Sequence, residues 1–200
     1  METSPSSVGK TPVAGRPRDP RIDAAILRAT AELLVEIGYS DLTMAAVAER
    51  AGTTKSALYR RWSSKAELAH EAAFATPPSA VTSPAGDVAD DLRAMVAGAR
   101  DAFTNPVVRA ALPGLIADMA GDAELTARVL GRFENLFDVL RRWVTEAIGR
   151  GDARPEVDPV RLLEVISGAT LFALMLRPGA DLTDDWVDQT TAIVTRGVMV

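Results

Sequence analysis

The chain has no cysteine and one histidine, His70, in 200 residues. Without cysteine there is no disulfide framework and no thiolate metal site. A single imidazole leaves a histidine-based metal or acid–base constellation almost nothing to work with. No glycine-rich phosphate loop is present, so neither metal nor cofactor is expected. No apolar run approaches the roughly 20 residues of a membrane span, and Met1 does not open a signal-peptide pattern, so no membrane partner is expected. Strand-like alternation and internal repeats are also missing. What remains is a hydrophobic content of 48%, carried at helical spacing along most of the chain.

The richest stretch runs from Thr43 to Leu68, TMAAVAERAGTTKSALYRRWSSKAEL. Thr43 is a good N-cap for a helix through Met44, Val47, Ala48 and Ala51. Gly52 stands where that helix must stop, because glycine takes the left-handed conformation cheaply. Thr54 can cap a second short helix through Lys55, Leu58, Tyr59 and Trp62. Ser64, with Glu67 three residues on, forms a capping box for a third. Helix, glycine turn, helix is the helix-turn-helix pattern, whose second helix enters the DNA major groove. Five bases (Arg50, Lys55, Arg60, Arg61 and Lys65) lie between positions 50 and 66 with no acid among them. Short polar side chains at the start of the second helix let the backbone approach base edges. Long donors at its end reach phosphates.

These residues resemble the DNA-binding domain of the tetracycline-repressor family of bacterial transcription regulators. The resemblance is carried by Thr43, Ala51-Gly52, Thr53-Thr54-Lys55, Leu58-Tyr59, Arg60-Arg61-Trp62, Ser64-Lys65 and Glu67-Leu68, and upstream by Ile26, Ala29, Leu33, Ile37, Gly38-Tyr39 and Leu42-Thr43. It covers about positions 20–75. The segment from Arg142 to Leu176 is similar to the C-terminal domain of one common subgroup. The resemblance implies phosphate contacts by Thr43, Tyr59 and Lys65. Thr54, Lys55, Ser56 and Arg60 are the candidates for base edges, and Arg61 completes the basic set. It also implies a small-molecule pocket in the C-terminal half and a homodimer built by pairing the last two helices.

Charge is unevenly divided. Residues 1–75 carry a net +1 and residues 76–200 a net −6, within a total of −5. Binding is local, so the clustered bases count for more than the total. Residues 1–19 are rich in Ser, Pro, Gly and Thr and are expected to form a disordered basic arm. Its Arg16 and Arg18 flank Pro17 and could lie along a minor groove, or simply be solvated. Residues 20–75 would form the helix-turn-helix domain, opening on a helix with a buried stripe of Ile22, Ile26, Ala29, Leu33 and Ile37. Residues 76–86 read as a linker.

Residues 87–200 read as a ligand-binding and dimerisation domain of five helices. The second is interrupted at Pro113-Gly114, and the third is long, running from Asp122 to about Arg150. The fourth, over 162–176, has one charge in fifteen residues, so it must be buried on more than one side. Candidate pocket residues are Met95, Phe103, Met119, Phe133, Phe137, Phe172 and Met175, in a cavity framed by the helices over 88–103, 122–149 and 160–176. For each of them ordinary core packing is the competing reading. Asp118, Glu134 and Asp138 could meet a cationic ligand, and His70 is expected on a helix surface.

The expected fold is therefore all-α, about nine helices. The expected protein is a cytoplasmic, nucleoid-associated homodimer. It would bind a double-stranded DNA operator and leave it when a small apolar effector binds. A ligand-independent architectural DNA binder and a small-molecule enzyme are the alternatives.

Overall fold

The structure, a computed structural model, describes residues 20–75, 87–176 and 181–200. The expected arm, with Arg16 and Arg18, and the expected linker lie outside the described residues. Ten helices follow in order: α1 Pro20–Asp41, α2 Met44–Arg50, α3 Lys55–Tyr59, α4 Lys65–Ala73, α5 Val88–Thr104, α6 Pro106–Ala120, α7 Ala123–Gly131, α8 Glu134–Arg150, α9 Pro159–Leu176 and α10 Asp184–Val198. Among the described residues there is no strand, only one isolated bridge between Ala153 and Met199.

Two cores hold these helices. The first joins Ile26, Leu33 and Leu34 of α1 to Val47, Leu58, Trp62 and Leu68, and it also takes in Ala111 and Leu115 of α6 and Leu125 and Val129 of α7. The second is built by α5, α8, α9 and α10 around Leu92, Val96, Leu140, Trp143, Ile166 and Val187. Inside it the indole of Trp143 donates to Asp91 at 2.8 Å, so a buried carboxylate has a buried donor. Ion pairs Arg93–Asp188 and Arg100–Asp184 clasp α5 to α10.

The structure corrects several expectations. Proline 113 does not interrupt α6, which runs unbroken through it. The proline is exposed, where a missing backbone donor costs least. The long third helix is instead two, α7 and α8, parted at Arg132 and Phe133. The apolar spacing runs straight through that break. What diverts the chain is tertiary: the Phe133 ring packs on His70 and Phe74 of the α4 end. Ile22 and Ile37 are exposed, and Thr30 and Leu34 take their place on the buried face of α1. His70 is not on the surface but 3% exposed. By length and composition α9 could cross a membrane, with 18 residues of mean hydropathy 1.6. It is not buried on more than one side in this chain: one side, Leu162, Ile166 and Thr170, is packed in the interior, and Val165, Phe172, Met175 and Leu176 are exposed.

Candidate nucleic-acid interface

Each turn of the 43–68 segment is fixed by a side chain acting on nearby backbone. Thr43 accepts from the Ala46 amide at 3.1 Å and caps α2. Gly52 ends α2 at φ 62°, and the Thr53 amide returns to the Ala48 carbonyl at 2.9 Å. Thr54 caps α3 through the Ala57 amide at 3.2 Å and shares a hydrogen bond with the Ser56 hydroxyl at 3.0 Å. Ser64 caps α4 through the Glu67 amide at 3.2 Å, and Glu67 reaches back to the Ser63 amide at 2.8 Å. The capping box is present, with its return bond one residue earlier than its usual partner.

These caps fix which side of α3 faces out. Ala57 and Leu58 are buried, whereas Thr54, Lys55, Ser56, Tyr59 and Arg60 are exposed. Tyr59 is 56% exposed, unusual for a phenol. The outer face thus presents hydroxyls, a phenol, an ammonium and a guanidinium, all suited to base edges and phosphates.

The five bases are not equivalent. Arg50 is held by Glu36 through paired bonds at 2.9 and 2.8 Å, with Glu32 at 3.6 Å. Arg61 turns inward, paired with Asp23 and donating to the Ala57 carbonyl at 3.0 Å. Its side chain is 12% exposed, so it stands apart from the outer face on which the sequence placed it. Lys65 donates one of its three N–H bonds to the Tyr39 carbonyl at 3.0 Å and lies 4.3 Å from the centroid of the Tyr39 ring. Lys55 and Arg60 make no ion pair among the described residues.

Sequence reasoning missed the residues that join this head to the rest. Tyr39 donates its hydroxyl to Asp118 of α6 at 2.5 Å. Arg132, at the α7–α8 break, pairs with both Glu67 and Glu71 of α4. Glu71 also accepts from the Trp62 indole at 2.8 Å. Partners 79 and 61 residues apart leave no local signal.

The seven expected pocket residues do not converge. Met95 lies in the second core, and Met119 and Phe133 pack on the first. Phe103 and Phe137 are half-buried. Phe172 and Met175 are 61% and 67% exposed on the outer side of α9, so they wall no interior cavity in this chain. A cleft of about 130 Å³ lies elsewhere, lined by Ala72–Ala75, Ala102, Asn105, Val107 and Val108, and none of the seven touches it. Of the acids considered for a cationic ligand, Asp118 is taken by Tyr39 and Asp138 by Arg141.

Known proteins agree with this architecture. The description of bacterial regulatory proteins of the tetR family matches residues 26–72. That of the tetracyclin repressor-like C-terminal domain matches residues 82–194. A DNA-binding transcriptional repressor, TetR, of Mycobacteroides abscessus is 29% identical over 182 residues, covering 82% of this chain and 86% of its own. The crystal structure of the TetR family regulator SCO0332 superposes with a TM-score of 0.67 at 28% identity, over 90% of this chain and all of that one. FadR from Bacillus subtilis, solved in complex with stearoyl-CoA, shares the fold with a TM-score of 0.62 at 14% identity, over 87% of this chain and 98% of that one. The family and the relatives are transcriptional regulators rather than enzymes, and this chain, a DNA-binding transcriptional regulator, belongs to the tetracycline-repressor family.

Proposed function

We propose that this protein is a repressor that binds a double-stranded operator as a homodimer in the cytoplasm and leaves it when a small molecule binds. The observation that carries the DNA part is the outer side of α3. Thr54, Lys55, Ser56, Tyr59 and Arg60 are exposed together on a helix whose other side is locked into the first core. In this reading Thr54, Lys55, Ser56 and Arg60 meet base edges, and Thr43, Tyr59 and Lys65 meet phosphates.

Dimerisation is supported by apolar surface. Val165, Phe172, Met175 and Leu176 of α9 and Ile193 of α10 are 50–71% exposed, large apolar side chains of the kind that mark a protein–protein contact when they gather on one surface. A twofold pair of short recognition helices then reads two half-sites. The effector reading draws on the stearoyl-CoA complex of FadR and on the bonds that tie α4 and the Tyr39 corner to α6 and to Arg132 at the α7–α8 break.

The test begins by selecting bound duplexes from a random DNA library. Lys65→Ala should then weaken all sequences about equally and lower the salt slope by about one per half-site. Lys55→Ala should change which bases are preferred. Recovery of no preferred sequence would overturn the reading.

A further inference from the structure

One side chain spans the distance from α6 to the DNA-binding head. Tyr39 is 7% exposed near the end of α1. Its hydroxyl donates to Asp118 of α6 at 2.5 Å. On its other side the Tyr39 carbonyl accepts from the Lys65 ammonium at 3.0 Å, and the same ammonium lies 4.3 Å from the ring centroid. Helix α6 is shaped for the ring. A Cβ on Gly114 would overlap it, falling 2.6 Å from its Cγ. Burial first, then the hydrogen bond and charge of Asp118, hold the phenol protonated to far higher pH than usual, so it remains a donor.

The two halves of this contact differ in stiffness. A lysine stem is flexible, and an exposed ammonium samples many positions. A buried tyrosine ring has two torsions and here has neighbours on α6 and α4. A carbonyl and a ring face together leave the ammonium a small region, with two N–H bonds still available to a phosphate.

We propose that Tyr39 is a positioning residue for Lys65. Gripped by Gly114 and Asp118 of α6, it sets where the Lys65 ammonium stands, so a shift of α6 is felt at the DNA as gain or loss of one phosphate contact per half-site. This rests on the reading of Lys65 as a phosphate contact. The connection is separate from the Arg132 pairs with Glu67 and Glu71, which hold the body of α4.

The test uses a full-length chain and an operator duplex recovered by selection. Dissociation constants are measured by fluorescence anisotropy across a range of salt for wild type, Lys65→Ala, Gly114→Ala, Tyr39→Phe and the Lys65→Ala/Gly114→Ala double variant. Lys65→Ala should lower the slope of log Kd against log salt by about one per half-site. Gly114→Ala, which removes no charge, should lower it by a similar amount, and the double variant should fall no further than Lys65→Ala alone. Tyr39→Phe keeps the ring and the carbonyl but releases Asp118, and should lower the slope in the same direction by less.

A salt slope unchanged in Gly114→Ala and Tyr39→Phe, with Lys65→Ala altered, overturns the proposal and leaves the phosphate reading intact. An unchanged slope in Lys65→Ala overturns both. Loss of affinity in Gly114→Ala at an unchanged slope, additive with Lys65→Ala, marks Tyr39 as mere packing and also overturns it. If circular dichroism shows that Gly114→Ala has lost its helices, Tyr39→Phe decides alone. That substitution removes one oxygen and keeps the packed ring.

Discussion

Lowering the pH should destabilise this protein through one residue. His70 is 3% exposed, with its ring 4.9 Å from that of Phe74 and 5.3 Å from that of Phe133, and neither ring nitrogen has a hydrogen-bond partner among the described residues. Burial pushes its pKa down from 6.5 to about 4; the Arg132 cation adds to the shift and Glu71 opposes it. The folded state therefore favours the neutral ring. Below pH 6.5 the unfolded chain takes up a proton that the folded chain refuses until about pH 4. Stability is full above that window and falls as pH drops through it. Between pH 7 and pH 5 the loss from this one group is about 2 kcal/mol. Denaturant unfolding at fixed protomer concentration, for wild type and His70→Leu, isolates that increment from the carboxylates common to both. The stability difference between the two proteins should change by that amount over the two pH units. Because the chain has one histidine, its imidazole gives a single NMR titration, expected to have its midpoint near 4. A midpoint at 6.5, with parallel pH curves for the two proteins, would refute the reasoning.

Assembly offers a second check. Ile193 is 71% exposed in the single chain, so Ile193→Arg should leave the helical content unchanged while light scattering shows monomers and operator affinity collapses; a dimeric variant counts against the α9–α10 interface. Ala169→Arg on the outer side of α9 should behave alike. The salt slope of the wild type is a third: with Lys65 as the cluster's phosphate contact, two half-sites make two ionic contacts and a slope of about 2 in log Kd against log salt, rising to about 5 if Lys55 and Arg60 also met phosphates and to about 9 if all five bases did. Comparing the full chain with one lacking residues 1–19 assigns any excess to the bases of that segment, Lys10, Arg16 and Arg18.

What could be read from the sequence was what acts over short distances. Thr43, Thr54 and Ser64 each cap the helix assigned to them, because a cap joins a side chain to an amide three residues away. Gly52 ends α2 for an equally local reason. Some of the misreadings have a distant partner as their cause. Nothing near Pro113 says that α6 continues, and only Gly131 hints at the break that lets Phe133 reach α4. His70 had a usable signal. It shares a helical stripe with Ala66, Ala69 and Ala73, of which Ala66 and Ala69 are fully packed, and a polar residue on such a stripe is buried with its neighbours. The aromatic residues assigned to a pocket were chosen by size, and size does not distinguish an inner face from an outer one. Phe172 and Met175 belong to the outer one, the face assigned to a partner subunit.

The same distinction governs charge. A run of bases without acids looks like a phosphate-binding stripe, but a helical domain folds the run against other helices that carry the acids. Glu32, Glu36 and Asp23, all on α1, claim Arg50 and Arg61. Those two arginines brace α2 and the end of α3 against α1, fixing the angle at which the recognition helix is offered. Lys65 is intermediate, half committed to Tyr39. The cluster thus splits by setting: Arg50 and Arg61 are tied to α1, Lys55 and Arg60 face outward on the side proposed to meet DNA, and Lys65 stands at the joint between the head and α6. A rigid head is what a change of spacing between half-sites requires, since a flexible one would absorb the displacement that is meant to release the operator.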